Sequence, residues 1–272
     1  MRFGTGTTCG RRGYRLGRAA LIAAALAAAP PAPALVVDAD PDAVTLAPAG
    51  AVGFDHVGRI AGTTGVYLGD GWVLTAGHVG AGELTLGEKR YPAVARSWIP
   101  VPGKGDGGSP DLGVFRIDPH PPLPRLELAR RPPTPGDPLV LVGCGAGRGE
   151  AFEWDERRGW TWSGPSACRW GRNRIAAVGL DMPTGAAMTR VFATLFTDGD
   201  PEEAQAAHGD SGGAGFAARP GGRWVLAGIM IAVKGFPRQP PYTSVIGNAT
   251  HLADLSYYRA EILSLTGHSP QR

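Results

Sequence analysis

The chain has 272 residues, 43% of them hydrophobic, enough for one large domain or two small lobes around a real core. Its 42 glycines and 25 prolines reach a fraction that can mark disorder, but they fall between short apolar runs, where turns between strands account for them better. The formal charge of +3 is owed to the first 34 residues, which carry five arginines and no acid; the remaining 22 basic and 24 acidic residues leave no electrostatic footprint for a nucleic acid or an anionic membrane.

Residues 1–34 read as a secretion signal, with Arg2, Arg11, Arg12, Arg15 and Arg18 as its basic start. The apolar run Ala19–Ala29 is too short to cross about 30 Å of hydrocarbon. Ala32-Pro33-Ala34 places small residues where a signal peptidase reads, so the expected product is secreted, extracellular or periplasmic. Arg11-Arg12 is a poor twin-arginine signal, because Arg15 stands where that motif wants a hydrophobic residue. No later apolar stretch is long enough to span a membrane. Cys9 leaves with the signal, and Cys144 and Cys168 remain. An even number in an oxidising compartment predicts a disulfide; two buried free thiols are the alternative.

Residues 35–56 form a Pro/Ala-rich N-terminal lead-in. From Val57 onward short β-prone runs alternate with turns. Gly65–Leu68 and Trp72–Thr75 flank Gly69-Asp70-Gly71 and predict a hairpin. Further strands are predicted at Leu112–Ile117, Leu139–Val142, Arg174–Val178, Arg190–Leu195 and Trp224–Val233. The prolines of 119–138 suggest an extended crossover, with a lobe boundary near residue 125. This spacing predicts an all-β fold, a sandwich or barrel. The exception is Leu252–Leu265, where Leu252, Leu255, Tyr258, Ile262 and Leu265 recur at helical steps, with Asp254 or Ser256 as cap and Gly267 just past the end. Residues 267–272 are a tail.

Three segments carry chemistry. In His208-Gly209-Asp210-Ser211-Gly212-Gly213 a serine sits in a glycine-rich turn. Such a turn exposes the hydroxyl and lets the N–H groups of Gly209 and Ser211 point at one spot, as an activated nucleophile needs. Thr75-Ala76-Gly77-His78 ends a strand on a histidine, a potential base. Asp111 opens an apolar strand. The last two are weak alone; their order and context give them weight.

On these segments the sequence resembles the chymotrypsin-like serine peptidases, more closely their secreted bacterial trypsin-like members, over residues 57–266. Thr75–His78 resembles the family's histidine motif, Asp111–Ile117 its aspartate motif, and Glu203–Gly213 its serine motif. Trp224–Ile229 is similar to the strand after the nucleophile, and Tyr242–Val245 with the terminal helix to the family's ending. The order His, Asp, Ser is that of chymotrypsin, not of subtilisins or α/β-hydrolases. The resemblance implies two six-stranded antiparallel β-barrels, about 57–125 and 126–250, a C-terminal helix over 252–266, and an active site in the cleft between the barrels. It implies His78, Asp111 and Ser211 as a catalytic triad and the amides of Gly209 and Ser211 as an oxyanion hole. No metal or cofactor is called for, the substrate is a polypeptide, and the chain is expected to be monomeric.

The specificity pocket is assigned to Gln205, Ile231 and Val233. Gln205 stands where trypsins have an Asp, which argues against Lys/Arg cleavage and for small or uncharged residues before the cut. Ile231 stands where many members have a Ser that bonds the catalytic Asp. No activation sequence is evident whose new N-terminus would pair with Asp210. His208 could tune substrate choice. Asp198, Asp200, Glu202 and Glu203 could hold calcium or be a solvated acidic loop. Trp154, Trp160, Trp162 and Trp170 could meet substrate or pack beneath a loop. Two other functions remain: a catalytically silent binding protein on this scaffold, and an esterase using the same triad.

Overall fold

The computed structural model describes residues 35–38, 44–45, 53–104, 108–164, 167–219 and 223–267. The expected signal, most of the lead-in and the tail beyond Gly267 lie outside them. The described chain begins with a two-residue strand, β1 (Val36–Val37). The first half then supplies β2 (Val57–Ile60), β3 (Thr63–Gly69), β4 (Trp72–Thr75), β5 (Leu84–Leu86), β6 (Lys89–Tyr91), β7 (Ile99–Pro100) and β8 (Gly113–Arg116). These seven form one antiparallel sheet in the order β6-β5-β2-β3-β4-β8-β7. It curls rather than closing as a six-stranded barrel: one isolated bridge, Ala93↔Ile117, ties its far ends together, and strands this short leave no continuous ladder there.

The β3–β4 hairpin forms where its sequence predicts. Asp70 and Gly71 both take positive φ, 49° and 80°, the two-residue turn whose twist matches the strands on either side. Alternation then sends side chains two ways. Tyr67, Val73 and Phe115 pack inside the first sheet with Ile60, Leu84 and Tyr91. Val66, Leu68, Leu74 and Val114 join Leu139, Val140 and Met230 of the second half in a shared core. Burying both faces of β3, β4 and β8 fixes one half against the other.

The second half supplies β9 (Pro138–Gly143), β10 (Gly147–Trp154), β11 (Arg157–Gly164), β12 (Arg169–Thr184), β13 (Ala187–Leu195), β14 (Ala204–Gln205), β15 (Ala214–Ala218), β16 (Trp224–Lys234), β17 (Thr243–Val245), β18 (Ala249–Asp254) and α1 (Arg259–Thr266). Six of them close a barrel in the order β12-β13-β18-β16-β15-β9. The fold is thus mostly β, two antiparallel sheets curled barrel-like and one C-terminal helix. β16 outruns β15: their pairing ends at Ile229, whereas pairing with β18 continues to Lys234. Among the described residues one edge of Ile231–Val233 is therefore without a strand partner.

The helix starts later than its periodicity suggests. Ala249–Asp254 is β18, paired on both sides and needed to close the barrel. Asp254 does not cap the helix; its Oδ1 accepts from Ser256 N and Oγ in the turn before it. Gly267, at φ 69°, ends the helix as expected, its N–H donating to Leu263 O. Among the described residues no helix is long and apolar enough to cross a membrane.

The Trp-rich stretch, expected as a loop, is the β10–β11 hairpin with β17 added as a third strand. The disulfide Cys144–Cys168 closes its base, joining the end of β9 to the start of β12.

Candidate active site

His78 lies three residues beyond β4, and Asp111 two residues before β8, the strand that pairs with β4. Register alone therefore brings the two together. The Asp111 carboxylate holds His78 twice: Oδ1 accepts the His78 amide at 2.8 Å, and Oδ2 accepts Nδ1 of the ring at 2.8 Å. Since a carboxylate only accepts, Nδ1 carries the proton and Nε2 is left as a base. The His78 side chain is 49% exposed, that of Asp111 11%. The hydrogen bond that the ring donates to Asp111 raises the imidazole pKa above its ordinary 6.5, with burial opposing it.

Ser211 sits in the turn between β14 and β15. Its backbone is tied to the first sheet, Thr64 N donating to Ser211 O at 3.0 Å and Thr64 Oγ1 to Gly209 O at 2.9 Å. Gly209 and Gly212 have φ of 90° and 87°. A Cβ on Gly209 would lie 2.7 Å from Gly62 O and 2.8 Å from Gly145 Cα, so glycine is required there. Among the described residues the amides of Gly209 and Ser211 have no partner within the molecule and are free to meet an oxygen. No hydrogen bond joins His78 to the Ser211 hydroxyl among the described residues.

Asp210 is wholly buried between them. It accepts Gly145 N at 2.8 Å, Ala207 N at 2.8 Å and Leu35 N at 3.1 Å. Burial pushes its pKa up to about 7, against those three N–H groups and the charge of Arg169. The Leu35 amide thus gives Asp210 a partner that the sequence left unknown. Leu35, Val36 and Val37 are fully buried, and β1 pairs Val36 with Gln205 and Val37 with Ala204. The signal missed in the sequence is the apolar Leu35-Val36-Val37 directly after Ala34.

A hollow of about 160 Å³ opens beside Ser211, walled by Trp162, Ala206, Ala207, His208, Met230, Ile231, Ala232 and Val233. Ile231 and Val233 are both among these walls, and Val233 is 39% exposed. Gln205 is not among them. It is 1% exposed, and its Nε2 donates to Ala249 O at 3.2 Å. His208 is exposed and meets the Tyr242 ring edge-on at 6.3 Å. Of the four tryptophans only Trp162 walls the hollow, its Nε1 bonded to Ser244 Oγ. Trp160 packs on Phe196, Trp154 stacks on Phe236, and Trp170 belongs to the core.

The acidic loop is spent on protein partners. Asp198 pairs with Arg158 and Glu202 with Arg172, while Glu203 accepts Thr197 N and Oγ1. Among the described residues no three His, Cys, Asp or Glu groups converge as a metal site. A larger hollow, about 580 Å³, lies on the second barrel around Arg172–Ala176 and includes neither His78 nor Ser211.

No protein-family model matches the chain, and no curated protein does. Among solved structures it is similar to neuropsin, a serine protease expressed in the limbic system of mouse brain, with a TM-score of 0.56 at 16% identity over 80% of this chain and 97% of neuropsin. It is also similar to the Rv3671c protease in its inactive form, with a TM-score of 0.51 at 20% identity over 85% and 98% of the two chains. A second inactive form of Rv3671c, from M. tuberculosis H37Rv, gives 0.50 at 19% over 87% and 98%. At such identities the likeness is one of fold alone: this chain has the chymotrypsin fold.

Proposed function

We propose that the chain is an exported serine endopeptidase acting through Ser211, His78 and Asp111, in the manner of the secreted bacterial trypsin-like enzymes. The observation that carries this reading is the His78 ring held by Asp111, with the serine turn tied through Thr64 to the sheet that carries His78 and its two amides unpartnered among the described residues. Ser211 Oγ attacks the scissile carbonyl while its proton passes to His78 Nε2. The oxyanion lies against the Gly209 and Ser211 amides. His78 then protonates the leaving amine as the C–N bond breaks, leaving an acyl group on Ser211, which water removes by the same steps. The chemistry as written uses side chains and amides alone. The substrate is a polypeptide, and a monomer suffices.

The hollow beside Ser211 suits a small aliphatic side chain before the cut, and among the described residues no Asp, Glu, Lys or Arg walls it. A peptide-library profile should be led by residues such as Ala, Val or Thr; one dominated by Arg or Lys would contradict the assignment. Cleavage of the leader after Ala34 would make Leu35 the first residue and place an ammonium, not an amide, against Asp210.

One observation favours a second reading. Without a His78–Ser211 hydrogen bond, the same scaffold describes a silent binding protein or a latent enzyme. Labelling with a fluorophosphonate probe, mapped by mass spectrometry, decides between activity and silence. Labelling of Ser211 that is lost in Ser211→Ala and His78→Ala supports the enzyme. Folded protein that never labels between about pH 5 and 9, the span over which a histidine base titrates, sinks it. Matched amide and ester substrates then separate a peptidase from an esterase.

A further inference from the structure

The β12–β13 hairpin is longer than the barrel it helps close. Its base is held on both sides, by β9 along Arg169–Arg174 and by β18 along Val191–Leu195. Farther out, among the described residues, Asp181–Thr184 and Ala187–Arg190 pair only with each other. This two-stranded ribbon crosses to the first sheet. Near its end Thr189, fully buried, accepts the backbone N–H of Asp111 at its Oγ1, 2.8 Å away. Thr184 Oγ1 lies 2.7 Å from the same oxygen and completes the pairing of the two hydroxyls. A Cβ on Gly108 would lie 3.2 Å from Ala187 Cβ, so the chain leading to Asp111 runs against the ribbon's tip. Thr184 and Gly185 also complete the hollow around His78 and Asp111, opposite Trp98, Pro100 and Pro110.

Asp111 needs such a hold. Both carboxylate oxygens serve His78. The carboxylate can orient the ring only as well as its own backbone is fixed. The turn before it is tight, with Leu112 N donating to Pro110 O, and the Asp111 amide is held from the other half of the molecule. A buried hydroxyl accepting that amide restrains the residue at the point from which the side chain swings.

We propose that Thr189 is a positioning residue for the His78–Asp111 pair, and that the β12–β13 ribbon is the strut setting that pair relative to Ser211. The proposal rests on the catalytic reading of His78, Asp111 and Ser211. Thr189 touches no reacting atom; it acts through Asp111.

The test compares Thr189→Val, which keeps the shape and removes the acceptor, with Thr189→Ser, which restores it. Three quantities are read: kcat and KM on an activated ester, the His78 pKa by NMR titration, and the melting temperature. Thr189→Val should lower kcat on the order of 10- to 100-fold, the size of effect expected from a small misplacement of a catalytic group. KM should stay within about twofold, since ground-state binding is untouched. The His78 pKa should fall toward its ordinary value, and Thr189→Ser should recover both. A purely structural residue would lower the melting temperature and leave the His78 titration in place; that result, or equal losses in both variants, overturns the proposal. If the parent protein hydrolyses no ester, the catalytic reading fails, yet the His78 titration still decides whether Thr189 holds the pair. If Thr189→Val does not fold, Thr184→Val, which strips Thr189 of its partner, should move the His78 pKa in the same direction, and an unmoved pKa counts against the strut.

Discussion

One carboxylate gripping a histidine by both amide and ring leaves that ring little freedom to turn. It also sets the sign of the pH response. The raised pKa means that the folded chain binds the His78 proton more tightly than the unfolded chain does. The associated stability is present below about pH 6.5 and is lost as pH rises through the folded pKa. In the proposed mechanism attack by Ser211 needs the neutral ring, so activity should climb over the same interval. Asp111→Asn removes the cause of the shift. The acid limb of kcat/KM should move to lower pH, and kcat should fall by roughly 10³–10⁴, the cost of the wrong tautomer. A pH–rate profile of the two proteins checks both statements; an unmoved limb would separate Asp111 from His78.

Among the elements, the β10–β11 hairpin is the one least legible in the sequence. Gly147–Trp154 and Arg157–Gly164 lack a clean polar–apolar alternation, because their faces meet different surroundings: Trp160 is buried while Trp154 and Trp162 lie at hollows and loops. The β3–β4 hairpin was readable because turn chemistry and β-prone runs agree there. β18 was misread because Leu252 and Leu255 satisfy a helical step as readily as a strand, and only pairing to two neighbours decides. The catalytic candidates were readable as motifs. The hold of Thr189 on Asp111 was not, since 78 residues separate the partners. The disulfide at the hairpin base closes a loop with a sequence separation of 24. Replacing Cys144 and Cys168 together by Ala should cost about 3–4 kcal/mol in the chain-entropy view. Urea unfolding measures it, and a thiol titration of the unfolded, unreduced protein should find neither cysteine free.

At the scale of the whole molecule, the start of the described chain is wired to the turn that carries Ser211. Leu35 meets Asp210 across 175 residues, and β1 runs beside the strand leading to Ser211. With Leu35 in an ordinary peptide bond, Asp210 titrates near 7 rather than 3.8. The fold keeps a proton that the unfolded chain has shed, so this stability is present below about pH 4 and drains away as pH rises toward 7. An ammonium on Leu35 would favour the carboxylate and cancel that slope. A protein beginning at Leu35 should therefore hold its urea midpoint between about pH 4 and 7 better than one with two residues added ahead of it. It should also label faster at Ser211, on the order of 10²-fold, the worth of one well-set oxyanion donor. Identical behaviour of the two forms would reduce Leu35 to a core residue. If the chain is the endopeptidase proposed, the edge of Ile231–Val233, without a strand partner among the described residues, has a different consequence, for the protein's targets rather than for itself. A peptide lying there must be stretched out as one more strand, and few folded proteins offer such a stretch on their surface. Cutting of a folded target then waits on that target opening locally. Its rate should drop tenfold for each 1.4 kcal/mol by which the cut segment is held in place. Choice among folded targets would be made as much by their own fluctuations as by the side chain that enters beside Ser211.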